Sequence, residues 1–300
     1  MTPREGMLPV GRLQLAYDDW GDEGAPAILL IMGLGAQMVV WPEAMVEGLV
    51  TRGFRVVRFD NRDIGRSTKF EGQEPPPLTR LILSALIGRP LRVPYRLSDM
   101  AADSVGVLGA LGIERAHIVG ASMGGMIAQL VAIHYPRRVL SLTSIMSTSG
   151  SRRLPPPDRH LLKLLATPRP IGASREEQVA AGVALLKAIG TPDGGASDGL
   201  RRELVEKSLA RGYYPDGNRR QLAAIVASGS RTKLLPKISA PTLVIQGTAD
   251  RLVPPAGGRD VAKRVPGARL ELMQGMGHDL PPAYLPRIID LLATHAGATQ

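Results

Sequence analysis

The chain has 300 residues, 44% of them hydrophobic, with 34 glycines, 25 prolines and no cysteine. That apolar supply suffices for a sizeable core and argues against disorder, while the missing thiols exclude disulfides, thiolate metal sites and a cysteine nucleophile. The net charge of +10 is spread in short pairs such as Arg137-Arg138, Arg152-Arg153, Arg201-Arg202 and Arg219-Arg220, and aromatics are only 4%, so we expect a solvated arginine surface and no nucleic-acid partner.

The opening residues, Met1-Thr2-Pro3-Arg4-Glu5-Gly6-Met7, lack the charged-then-apolar order of an export signal. The longest apolar run, Ala27 to Trp41, is broken by Gly33 and Gly35 and is too short to span a bilayer. We therefore expect a cytoplasmic protein without a membrane span. Arg12 to Trp20 alternates and predicts an antiparallel entry strand, ended by the turn Gly21-Asp22-Glu23-Gly24. Ala27 to Met32 is a continuous apolar run, as in a strand buried on both faces. The same logic predicts strands at Arg55–Asp60, His117–Val119, Val139–Met146, Leu243–Gln246 and Arg269–Met273. Helical spacing predicts helices at Pro42–Thr51, Ser98–Leu111, Met123–Tyr135, Ala256–Val265 and Leu285–Ala296. Pro42 suits a first helical position and Ser98 an N-cap. Phe70 to Tyr95, with its Pro75-Pro76-Pro77 run, reads as irregular.

This alternation of strand and helix predicts a mainly parallel sheet flanked by helices. It fails between about Thr148 and Leu235, where only helical patterns appear, around His160–Leu165, Glu176–Ile189 and Leu200–Arg211. One α/β domain over 1–300 is expected, with core parts at 1–147 and 236–300 and a helical cap inserted at 148–235.

The segment His117-Ile118-Val119-Gly120-Ala121-Ser122-Met123-Gly124-Gly125 reads as strand, sharp turn, helix. It has the form G-x-S-x-G, in which a serine hydroxyl is held out above a sheet, and a Cβ at either glycine would collide with the bent backbone. The pattern recurs at Gly195-Ala196-Ser197-Asp198-Gly199, but in a polar loop with no strand before it. A serine needs a base. His117 lies at the far end of its strand, and it, His134, His160 and His295 all read as surface or boundary residues. His278 follows a predicted strand within Gly275-Met276-Gly277-His278-Asp279, a turn that lets the ring reach across a sheet edge. Asp250, just past the strand Leu243–Gln246, would orient that ring from the same edge; Asp279 would point away and Asp260 sits inside a helix. Backbone N–H groups for a developing oxyanion are expected at Met123 and Leu34, with Gly33 turning the loop inward. Losing one such donor typically costs ~3–4 kcal/mol in the transition state. Trp41, close behind this loop, and Gly33 are expected to shape an apolar substrate pocket.

With these residues placed, the chain resembles the α/β-hydrolase superfamily over nearly its whole length. The resemblance rests on Leu30-Ile31-Met32-Gly33-Leu34-Gly35, Phe59-Asp60-Asn61-Arg62-Asp63-Ile64-Gly65-Arg66-Ser67, the Ser122 turn, and the Asp250 and His278 loops, in the serine–acid–histidine order of that superfamily. It is most similar to the esterases grouped with aclacinomycin methylesterase. It departs from the commoner pattern in having Met32 where a histidine usually precedes the loop glycine. The resemblance implies hydrolysis of a small to medium, largely apolar carboxylic ester through an acyl-enzyme, a methyl ester among the candidates, with no metal or organic cofactor. Perhydrolysis, lactone opening or carbon–carbon bond hydrolysis on the same three residues are the rival readings, and ligand binding without turnover a remote one.

Overall fold

Among the described residues eight strands form one sheet in the order β1-β2-β4-β3-β5-β6-β7-β8. The strands of this computed structural model are β1 Arg4–Val10, β2 Leu13–Trp20, β3 Ala27–Ile31, β4 Arg55–Phe59, β5 Ala116–Ala121, β6 Val139–Ile145, β7 Thr242–Gly247 and β8 Arg269–Met273. It describes residues 2–88, 91–166, 172–193 and 195–298; Met1, residues 89–90 of the Phe70–Tyr95 stretch, and residues 167–171 and 194 of the 148–235 stretch lie outside the described residues. β1–β2 and β2–β4 pair antiparallel, and β3 through β8 pair parallel.

The helices are α1 Glu43–Val50, α2 Leu78–Ile87, α3 Leu97–Ala110, α4 Met123–His134, α5 Arg159–Ala166, α6 Arg175–Ile189, α7 Asp198–Arg211, α8 Pro215–Ser228, α9 Ala256–Arg264 and α10 Leu285–Gly297. Alternate side chains of a strand face opposite layers. On β3, Leu29 and Ile31 pack with α3, α4 and α9, whereas Ile28 and Leu30 pack with α1 and α10. All five β3 residues are buried, which is why the sequence shows an unbroken apolar run there rather than alternation. Between β6 and β7 the described residues hold only helix, turn and coil. α8 from that stretch reaches back to pack on α2 and α3.

Several sequence expectations need correction. β1 was not expected, because Gly6 and Pro9 interrupt its pattern; as the outer strand of the sheet it tolerates both. The Phe70–Tyr95 stretch contains α2, and Pro77 before it marks the start of the helix rather than continued coil. α8 was missed because Pro215-Asp216-Gly217 reads as a turn, yet Pro215 occupies a first-turn position where its missing N–H costs nothing. Pro42 precedes α1 instead of opening it. Ser98 lies inside α3; the Asp99 carboxylate caps the end by accepting from Arg96 N–H at 2.7 Å. The arginines are not all solvated either. Arg55, Arg58, Arg62, Arg220 and Arg231 are buried, the first four against Asp19, Asp18, Asp103 and Asp63.

Candidate active site

The turn between β5 and α4 carries Ser122 with φ 56° and ψ −119°, a conformation that costs a non-glycine residue about 1–3 kcal/mol and persists only where its surroundings enforce it. They do so here. Ser122 N–H donates to Ile145 O at 2.9 Å, and Ser147 Oγ–H donates to Ser122 O at 2.7 Å. The flanking glycines are required by space: a Cβ on Gly120 would overlap Gly124 O, and one on Gly124 would overlap Ile31 O. Ser197, in the second copy of the pattern, is an ordinary N-cap of α7, its Oγ accepting from Leu200 N–H at 3.2 Å.

Parallel strands bring their carboxyl ends to one edge, and the loops after β5, β7 and β8 meet there. His278 Nε2 lies 2.9 Å from Ser122 Oγ, and His278 Nδ1 lies 2.7 Å from Asp250 Oδ2. Both Asp250 and His278 are buried. A carboxylate cannot donate, so Nδ1 carries the ring proton and Nε2 is left to accept from the Ser122 hydroxyl. The other Asp250 oxygen accepts from Leu252 N–H at 2.9 Å and Val253 N–H at 2.7 Å, which fixes the carboxylate in its turn. The His278 backbone is held by its N–H to Ile189 O at 2.8 Å. Asp279 points away, accepting from Thr191 Oγ–H at 2.6 Å, while Thr191 Oγ accepts from Gly277 N–H at 2.9 Å. In this line of hydroxyl, imidazole and carboxylate, the imidazole can take a proton from the hydroxyl while the carboxylate steadies the resulting cation.

Beside Ser122 runs the loop after β3. A Cβ on Gly33 would lie 3.1 Å from Ser122 Cβ and 3.6 Å from Oγ, so a side chain here would press tightly on the serine. Leu34 is the next residue, and Met123 is the first residue of α4; neither N–H has an acceptor among the described residues. Trp41 is wholly buried in the core with Ile28, Leu30 and Met45, and its carbonyl accepts from Arg58 Nη1 at 3.1 Å.

The remaining histidines stand elsewhere. His134 and His160 are exposed. His117, expected near the surface, is 1% exposed: its Nδ1 lies 2.9 Å from Ser141 Oγ, and burial, with His295 and Arg115 nearby, pushes its pKa down to about 4. His295 is half-buried against Leu142 O.

The turn after β4, read from sequence only as part of a resemblance, supports the site from behind. Asn61 Nδ2 donates to Met32 O at 2.9 Å, and Asp60 accepts from Met38 N–H at 2.8 Å, Arg66 N–H at 3.0 Å and Arg211 at 2.7 Å. Burial would raise the Asp63 carboxyl, but Arg220, Phe70 N–H and Tyr95 OH outweigh it and hold its pKa below the usual range. Arg211, Arg220 and Gln221, all from the stretch between β6 and β7, carried no sequence signal, since their partners lie more than a hundred residues away.

A depression of about 350 Å³ lined by Pro26, Arg55, Ile113 and Arg115 lies at the amino ends of the parallel strands, opposite Ser122, and shares no residue with its site. Among the described residues no group of three or more metal-ligating side chains gathers, and no helix is long and apolar enough to cross a membrane.

Comparison with known proteins agrees with this architecture. A family model described as alpha/beta hydrolase fold matches residues 26–281. A rhodomycin D methylesterase of Streptomyces sp. (strain C5), DauP, is 31% identical over 97% of the chain and 98% of the relative. Its counterpart in Streptomyces peucetius, DnrP, is 30% identical over 97% and 98%. Among solved structures, the enol-lactonase of Burkholderia xenovorans LB400 superposes with a TM-score of 0.75 at 22% identity, covering 97% of this chain and all of that one.

Proposed function

This chain belongs to the alpha/beta hydrolase family and is a carboxylic-ester hydrolase of that fold; we propose that it works through an acyl-enzyme formed on Ser122. The single observation that carries this reading is the continuous contact from Ser122 Oγ through the His278 ring to Asp250. Ser122 attacks the ester carbonyl as His278 takes its proton, and Asp250 holds the ring and stabilises the imidazolium. His278 returns that proton to the departing alcohol. It then activates a water that releases the acid and restores the serine. The N–H groups of Leu34 and Met123 receive the negative charge of each tetrahedral intermediate, and the amino end of α4 adds its partial positive charge.

The substrate in this reading is a small to medium, largely apolar ester, and the two methylesterase relatives make a methyl ester the first class to try. The helical stretch 148–235 acts as a cap: its α8 supplies side chains to the loop beside Ser122, and its Ile189 carbonyl holds the His278 backbone. Gly33 lines the floor of the pocket, and Trp41 backs it from the core.

The test is a fluorophosphonate probe with hydrolysis measured on methyl esters of graded acyl size. Wild type is labelled once per chain and turns over. Ser122→Ala loses the label and at least ~10⁴-fold in kcat/KM. Labelling that survives Ser122→Ala sinks the assignment. Running peracid formation on the same panel decides whether water is the preferred acceptor.

A further inference from the structure

We propose that Gln221, far along the chain on α8, is a positioning residue that sets the loop carrying the Leu34 N–H; this rests on the reading of Leu34 as an oxyanion donor. Gln221 is wholly buried and uses both ends of its amide. Its Oε1 accepts from Gly35 N–H at 2.9 Å across a separation of 186 residues, and its Nε2 donates to Arg62 O at 2.9 Å.

Peptide planarity makes this contact matter. The Gly33 carbonyl and the Leu34 N–H belong to one trans peptide unit and point in opposite directions. Ala36 N–H donates to Gly33 O at 3.3 Å, which turns the Leu34 N–H the other way. The next peptide unit carries Gly35 N–H, and its direction is set by Gln221. Gly35 itself has φ +68° and lies against the Asn218 amide, so α8 also fills the space above the bend. The other end of the Gln221 amide reaches the turn after β4, whose Asn61 holds Met32 O. Oxyanion loop, Gln221 and post-β4 turn thus close into a ring, and the neighbouring Arg220–Asp63 pair fastens α8 to that same turn.

Donors aimed at a developing charge lose their value when displaced by fractions of an ångström. Displacing α8 would remove the acceptor of Gly35 N–H and free the bend next to Leu34. The site is therefore completed by the helical stretch rather than by the sheet alone. Seating of α8 and stabilisation of the oxyanion are one event.

The experiment compares wild type with Gln221→Met, which keeps length but removes both hydrogen bonds, and Gln221→Glu, which keeps the acceptor for Gly35. Gln221→Asn, pulled back by one methylene, is read in the same way should the Met variant fail to fold. Fluorophosphonate titration counts working sites, so kcat is expressed per titrated site on a methyl ester. We expect Gln221→Met and Gln221→Asn to lower kcat per site by about 10- to 100-fold with KM within threefold. Affinity for a boronic acid, which mimics the tetrahedral species, should fall by a similar factor, and Gln221→Glu should recover part of both. A merely structural role would reduce the titratable fraction or the melting temperature and leave kcat per site unchanged; that result overturns the proposal. Wild type that takes no label at Ser122 would instead defeat the underlying hydrolase reading.

Discussion

At the scale of single residues, shape and charge decide different things around Ser122. Gly120 and Gly124 are there because backbone oxygens occupy the places where their Cβ atoms would sit. Gly124→Ala forces a methyl group against Ile31 O, at the end of the strand that leads into the loop beside Ser122. Neither backbone can retreat without moving a buried strand or the start of α4. We expect a loss of about 2–3 kcal/mol in urea unfolding, typical of overpacking, with a fall in kcat that exceeds any rise in KM. Retained stability would mean the turn has more slack than the geometry allows. The motif itself was legible from local sequence, because steric demands of a tight turn act within five residues. The different settings of the two copies were legible too: Ser122 follows a strand, and Ser197 caps α7.

At the scale of elements, α8 is held by charge in a place where water cannot reach. Arg220 donates through Nε at 2.8 Å and Nη2 at 2.9 Å to the two Asp63 oxygens, and both side chains are nearly or fully inaccessible. Removing one partner strands a buried charge, so Arg220→Ala should cost about 3–5 kcal/mol in denaturant unfolding. The double variant Asp63→Ala/Arg220→Ala should cost clearly less than the sum of the two single changes, since no lone charge remains. Simple additivity would show that the two groups do not depend on one another. Neither this pair nor α8 was readable beforehand. Pro215-Asp216-Gly217 has the composition of a turn, and a salt bridge across 157 residues leaves no periodicity. The inner strand β3 was readable because burial on both faces demands an unbroken apolar run. β1, an outer strand that accepts glycine and proline, made no such demand.

At the scale of the whole molecule, acid should loosen the fold through its buried histidines. His117 has a pKa pushed down to about 4 by burial, then by His295 and Arg115, and burial lowers His295 as well. A depressed histidine favours the neutral form in the folded state. Above about pH 6.5 both folded and unfolded chains carry it neutral, and its contribution is complete. As pH falls from 6.5 towards 4, only the unfolded chain takes up the proton, so stability drops; near 4 the loss levels off. For His117 that loss amounts to about 3 kcal/mol. Urea unfolding between pH 7.5 and 4 should show this slope, and His117→Asn should flatten it. A slope unchanged by that substitution would assign the acid sensitivity to other groups. Buried pairs such as Arg58–Asp18 and Arg62–Asp103 carry no net charge, so the +10 of the chain is left to the residues outside them.

Local order along the chain determined the alternation of strands and helices, the sharp turn at Ser122 and the candidates Asp250 and His278, because these follow from repeats of two and 3.6 residues and from glycine sterics. Tertiary structure alone decided that three loops converge on one sheet edge within hydrogen-bond reach, that arginines turn inward, and that Gln221 reaches the loop beside the serine. Such meetings depend on strand order and on how crossovers pack, which no short window of sequence contains.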